Sequence, residues 1–77
     1  MVVLQEVGTV LRRARSGMVI IKLTREPKEG QVLYDENERP VGRVTEIFGP
    51  VRSPFASLAP YADRAGGLVG RKVYSRS

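Results

Sequence analysis

Residues 41–55 read VGRVTEIFGPVRSPF. The first half, Val41 to Phe48, is rich in β-branched and apolar residues and predicts a strand. The strand stops on Gly49-Pro50, because glycine permits positive φ and proline has no N–H for a ladder. Pro54 breaks the chain again. Between the two breaks stand Val51 and Arg52, flanked by Ile47, Phe48 and Phe55. Loops ordinarily face water. Apolar surface of this extent between two prolines therefore calls for a cover, supplied either by the interior of the fold or by a partner.

Neither face of this strand is cleanly apolar. Strict alternation puts Val41, Thr45 and Ile47 with Arg43, and Gly42, Val44 and Phe48 with Glu46. A bulge or bend near Gly42 is the expected remedy. Upstream, Pro40 opens the strand, where a missing N–H costs least. Asp35–Arg39 is a charged turn, with Asn37 as its residue tolerant of left-handed backbone. Gln31–Tyr34 is a short strand, and Thr24–Gly30 a connection punctuated by Pro27 and Gly30. Met18–Leu23 is apolar on both faces except for Lys22, as suits a central strand of a small barrel. Ala14–Gly17 is a turn. Glu6–Arg13 alternates, with Val7, Thr9 and Leu11 on one face and Gly8, Val10 and Arg12 on the other. Met1–Gln5 reads as a frayed lead-in. Downstream, Phe55–Ala59 is a fifth strand. Pro60–Gly67 is a loop with room for a single turn at Tyr61–Ala65. Leu68–Tyr74 is the last strand, and Ser75–Ser77 a tail.

Six short strands with turn signals between them, and no ten-residue amphipathic helical pattern, predict an all-β fold, a barrel or a small sandwich. A small core leaves few sheet edges protected, which favours a closed six-stranded barrel. The 77 residues make one domain, residues 1–77, with its core at about 6–74 and short flexible termini.

Composition narrows the chemistry. With no cysteine, there is neither a disulfide framework nor a thiolate metal site. With no histidine, the usual general base and the commonest neutral metal ligand are missing. The carboxylates fall mostly in predicted turns, only Glu46 being oddly placed in a strand. The glycine-containing segments match neither a P-loop nor a dinucleotide fingerprint. The expectation is a chain that is not an enzyme and takes no cofactor or metal. No apolar run is long enough to span a bilayer, and no signal-peptide pattern opens the chain. A soluble, cytoplasmic protein is expected.

The formal charge of +5 is lopsided. Residues 1–38 carry six basic and six acidic side chains, while residues 39–77 carry seven against two. Such a half faces either solvent or a polyanion. The candidates for RNA proximity are Arg52, Arg71 and Lys72. Arg12, Arg13 and Arg15 cluster in sequence, but Arg12 and Arg13 point to opposite faces of a strand. Tyr34, Phe48, Phe55, Tyr61 and Tyr74 are scattered, without the adjacent pairing of a base-stacking platform. Aromatic side chains dominate small cores, so burial of Phe48 and Phe55 is expected. That leaves Val51 and Ile47 as the better exposed anchors.

Several of these stretches together resemble one family. VGRVTEIFGPVRSPF, preceded by LYDENERP and followed by GLVGRKVYS, is similar to the glycine-arginine-rich accessory subunit of H/ACA ribonucleoproteins. The most specific part comprises Gly42, Val44 and the run Glu46-Ile47-Phe48-Gly49-Pro50-Val51. The ending Val69-Gly70-Arg71-Lys72-Val73-Tyr74 agrees as well. Eukaryotic members carry glycine-arginine-rich tails and this chain has none, as in the archaeal form. Asn37-Glu38 stands where Asn-Gly is often found.

The resemblance implies a six-stranded Greek-key barrel like that of certain flavin reductases and translation factors. It implies docking on the catalytic domain of a dyskerin-type pseudouridine synthase, within an RNA-guided complex that modifies ribosomal RNA and serves ribosome biogenesis. The barrel would supply no catalytic residue and little or no RNA contact, and would act on the mobile thumb loop of the synthase to help substrate load and product leave. Carried over by motif, the partner-binding residues are Ile47, Phe48, Gly49, Pro50, Val51, Pro54 and Phe55. The rival reading is a small basic barrel that binds RNA directly.

Overall fold

The computed structural model describes residues 3–61 and 67–76. Six strands follow one another: β1 (Leu4–Arg13), β2 (Val19–Leu23), β3 (Val32–Tyr34), β4 (Pro40–Phe48), β5 (Phe55–Pro60) and β6 (Lys72–Arg76). They close into a barrel in the order β1-β2-β5-β4-β3-β6, every neighbouring pair antiparallel. Hairpins join β3 to β4 and β4 to β5, and β6 returns by a longer connection to lie beside β3. That is a Greek key. No α-helix occurs among the described residues.

The core is aliphatic. Val19, Ile21 and Leu23 line it from β2, Val41 and Val44 from β4, and Ala56 and Leu58 from β5. Val7, Val10, Leu33 and Val73 complete the interior from the other strands, and Leu68 plugs it from the connection before β6. Each fully buried leucine or isoleucine contributes roughly 1.5–3 kcal/mol. No aromatic ring is among these residues, contrary to the expectation for Phe48 and Phe55. Phe48 is 39% exposed and Phe55 half-buried, because both point outward where β4 meets β5.

Bulges explain why simple alternation misassigned two strands. On β1, Glu6 pairs with Tyr74 and Gly8 with Val73, so Val7 is an extra residue against β6. Val10 pairs with Ile21 and Arg12 with Ile20, so Leu11 is extra against β2. Val7 and Val10 thus both reach the core, while Leu11 is exposed. On β4 the bulge expected near Gly42 is present: Leu33 pairs with Gly42 and Tyr34 with Pro40, leaving Val41 extra. A second bulge at Thr45 separates the Val44–Leu58 pair from the Glu46–Ser57 pair. It carries Thr45 and Glu46 to the surface, so the oddly placed carboxylate is an exposed one. Gly42 sits where β4 bends over β5, and a Cβ there would clash with the Ala59 carbonyl oxygen.

Both ends of the chain are more regular than expected. Leu4 pairs with Arg76 and Gln5 with Ser75, so these four residues of the anticipated lead-in and tail belong to strands; residues 1, 2 and 77 lie outside the described residues. The last strand begins at Lys72 rather than Leu68. Residues 68–71 form a turn instead, with Gly70 at φ +85° and the Arg71 N–H donating to Leu68 O at 2.9 Å. Of the turn expected at Tyr61–Ala65, residues 62–65 lie outside the described residues. In the β3–β4 turn the left-handed residue is Glu38, at φ 62°, and not Asn37. The Asp35 carboxylate accepts N–H bonds from Asn37 and Arg39 at 2.8 and 2.9 Å, which holds that turn.

Among the described residues, β3 and β6 share a single backbone pairing, Tyr34 with Tyr74. Side chains reinforce this seam. Arg71 Nη1 lies 3.4 Å from Glu36 Oε1, and Arg76 Nε 3.9 Å from Glu38 Oε1. The Arg76 guanidinium also sits 5.8 Å from the Tyr34 ring centroid.

Candidate docking site

The β4–β5 hairpin carries the apolar loop. Gly49 leaves β4 at φ +97°, a conformation that side chains with a Cβ rarely adopt. A Cβ there would lie 2.9 Å from Phe55 Cδ2, so the ring of Phe55 occupies the space glycine leaves free. The Ser53 N–H donates to Pro50 O at 3.1 Å, closing a four-residue turn with Val51 and Arg52 at its centre. The Leu23 N–H donates to Pro54 O at 3.0 Å, which ties the far side of the loop to the end of β2. Two prolines and two hydrogen bonds thus hold a turn whose tip is the apolar Val51 beside Arg52. Val51 is 97% exposed.

The seven residues carried over by motif adjoin in space but differ in exposure. Val51, Phe48, Gly49 and Pro50 are exposed, and Pro54 and Phe55 half-buried. Ile47 is half-buried and packs against the core, so it is an anchor of the loop rather than a free surface residue. A notch of about 220 Å³ opens between Ile47, Phe48, Gly49, Pro50, Val51 and Pro54, with Glu26 of the β2–β3 connection as its remaining wall. Glu26 carried no signal in the sequence. It reaches the notch only because β2 lies beside β5 in the barrel order.

The pairing of aromatic residues was also missed. Phe48 and Phe55 are direct cross-strand neighbours and stack, with ring centroids 6.0 Å apart. Phe55 in turn lies opposite Lys22. The outer surface therefore carries the row Lys22–Phe55–Phe48.

The three candidates for RNA proximity do not form one patch. Arg52 is exposed in the β4–β5 loop. Arg71 pairs with Glu36 in the β3–β4 turn, at the opposite end of β4. Nine residues of β4, roughly 30 Å of extended chain, separate the two loops. Lys72 Nζ lies 3.1 Å from Glu6 Oε1, and that hydrogen bond and the attraction of the carboxylate raise the ammonium pKa above its usual 10.5. Arg71 and Lys72 also line a cavity of about 180 Å³ with Asp35, Glu36 and Tyr74, a setting of mixed charge.

Residues 4–77 match the protein family described as Gar1/Naf1 RNA binding region. An uncharacterized protein of Methanocaldococcus jannaschii is 35% identical over 51 residues, 66% of this chain and 62% of that protein. Another, of Methanothermobacter thermautotrophicus, is 26% identical over 57 residues, 74% of this chain and 62% of that protein. The chain thus spans less than two thirds of the length of the relatives it matches. A solved structure described as the Gar1 domain of Naf1 superimposes with a TM-score of 0.74 at 27% identity, over 97% of this chain and 85% of that one. The family match over residues 4–77 covers nearly the whole chain, and the chain belongs to the Gar1/Naf1 family.

Proposed function

We propose that this chain is a non-catalytic accessory subunit of an H/ACA RNA-guided pseudouridine synthase complex, working in the cytoplasm of an archaeal-type cell. It docks through the β4–β5 loop on the catalytic domain of a dyskerin-type synthase and assists substrate loading and product release. The carrying observation is Val51, an apolar residue 97% exposed at the tip of a loop braced on both sides. A braced loop loses little conformational entropy on docking. Family membership supports association with RNA-containing complexes.

The subunit's influence on turnover follows from where it acts. A protein that biases a mobile loop of the synthase does so by binding one loop state better than the other. Opening and release often limit turnover. Adding the chain to synthase, guide RNA and the remaining subunits raises the multiple-turnover rate and leaves the single-turnover rate nearly unchanged. A steady-state rate indifferent to the chain, with the complex formed and substrate saturating, defeats this reading.

Direct RNA binding is the second reading. The family description names RNA binding, and the stacked Phe48–Phe55 pair beside Lys22 has the elements of a base-stacking surface. Salt separates the two. Phosphate neutralisation gives a steep loss of affinity with rising salt, whereas apolar docking does not. Submicromolar binding of short single-stranded RNA by the isolated chain, with a steep salt slope, favours the second reading.

A further inference from the structure

The notch beside the β4–β5 loop has one charged wall. Glu26 closes a space otherwise bounded by Ile47, Phe48, Gly49 and the loop residues Pro50, Val51 and Pro54. The next residue, Pro27, is buried, which fixes the approach of the β2–β3 connection to the barrel. Of the other described acidic side chains, Glu29 and Glu46 have no ion pair but do not line the notch, and four are engaged. Glu6, Glu36 and Glu38 each have a basic partner within 4 Å, and Asp35 caps its own turn. Glu26 has no hydrogen bond or ion pair among the described residues.

A lone carboxylate at the edge of apolar walls suits one kind of side chain, an aliphatic stem with a cationic head. The stem lies along Pro50, Pro54 and Ile47 while the head meets Glu26. An arginine head gains further attraction from the face of Phe48. A wholly apolar occupant would take water from Glu26 and return no partner, which is costly. The Glu26 carboxylate itself disfavours a phosphate or carboxylate placed against it. The notch, about 220 Å³, has room for one long side chain.

We infer that the notch receives an arginine or lysine side chain of the protein that docks on the β4–β5 loop, with Glu26 as its charge partner. This rests on the docking reading above and adds the chemistry of the partner. The test is titration of the full chain against the catalytic domain of the dyskerin-type synthase of the same organism, with Glu26→Gln, Glu26→Lys and Val51→Asp variants checked for fold by circular dichroism. Glu26→Gln is expected to weaken binding about tenfold and Glu26→Lys further. Changing one synthase arginine or lysine to glutamate is expected to restore the Glu26→Lys affinity. If both Glu26 variants bind as the wild type does while Val51→Asp does not, the inference is overturned and the docking reading stands. If none of the three alters binding, or the wild type does not bind, docking through this loop is itself wrong. Glu26→Lys gaining affinity for short RNA with no change toward the synthase would overturn the inference in favour of a nucleic-acid occupant.

Discussion

Phe48 and Phe55 face each other across the mouth of the β4–β5 hairpin, their ring centroids 6.0 Å apart and their planes inclined by 25°. Such a pair adds about 0.5–1.5 kcal/mol beyond the area it buries. It also sets a steric limit, because the ring of Phe55 fills the space beside the Gly49 α-carbon. The loop is therefore held by a residue that must lack a side chain.

Gly49→Ala is expected to destabilise the barrel by about 2 kcal/mol, the typical cost of a side chain at strongly positive φ with added crowding. In a chain of this size that lowers the melting temperature by roughly 10 °C. Thermal unfolding followed by circular dichroism measures it. A melting temperature within about 2 °C of wild type would mean that the loop adapts and that neither φ +97° nor the Phe55 contact constrains it.

Val51 and Ile47 should part company under the same substitution. Val51→Asp leaves the fold intact, because a surface change of this kind is usually worth within about 0.5 kcal/mol. Its effect falls on partner binding, about thirtyfold or more if Val51 is a hot spot. Ile47→Asp sets a charge against the core cluster and costs on the order of 2 kcal/mol or more of stability. Parallel melts and synthase titrations separate the two. An Ile47→Asp protein as stable as wild type, yet unable to bind, would return Ile47 to the exposed interface.

Most of the architecture was legible in the sequence, and the omissions share a cause. Runs of β-branched residues between glycine and proline breaks disclose where strands lie, and six of them with no helical period disclose a barrel. The bulges at Val7, Leu11 and Thr45 carry no composition of their own. They exist because the strands must coil to close the barrel, and closure is a property of the whole sheet. The same holds for the site. Val51 was visible as an apolar residue between prolines. The Phe48–Phe55 stack depends on register, and Glu26 on which strand lies beside β5, so neither was visible along the chain. Residues 72–76 were read short because serine and arginine carry little strand propensity, and pairing with Leu4 and Gln5 overrides it.

Glu38 occupies a left-handed position, φ 62°, that glycine would fill without strain. It also contributes a long, exposed ion pair with Arg76. Comparing two substitutions separates these effects. Glu38→Ala and Glu38→Gly both delete the carboxylate, but only glycine relieves the backbone. The glycine variant is expected to be about 1 kcal/mol more stable than the alanine variant, the left-handed cost less the entropy glycine adds to the unfolded chain. Urea denaturation at constant pH gives the difference. Equal stabilities would show that the turn, held by Asp35, stores no strain at Glu38.

The Lys72–Glu6 pair joins β6 to β1, and its response to pH has a definite sign. The hydrogen bond to Glu6, and then the charge of that carboxylate, raise the Lys72 pKa above 10.5. A group whose folded-state pKa lies above the unfolded one stabilises fully below the unfolded value and loses that contribution as pH rises through the folded value. The pair is therefore intact at neutral pH and fades in the alkaline range above 10.5. Removing the ammonium with Lys72→Met is expected to cost stability at neutral pH and progressively less as the solution becomes strongly alkaline. Glu6→Gln should behave alike, since it removes the partner that causes the shift. Urea midpoints for wild type and both variants, measured from about pH 8 to about pH 11.5, test this by the gap between curves. A gap that stays constant over the range would mean that Lys72 stabilises the β1–β6 edge through its aliphatic stem and not through its charge.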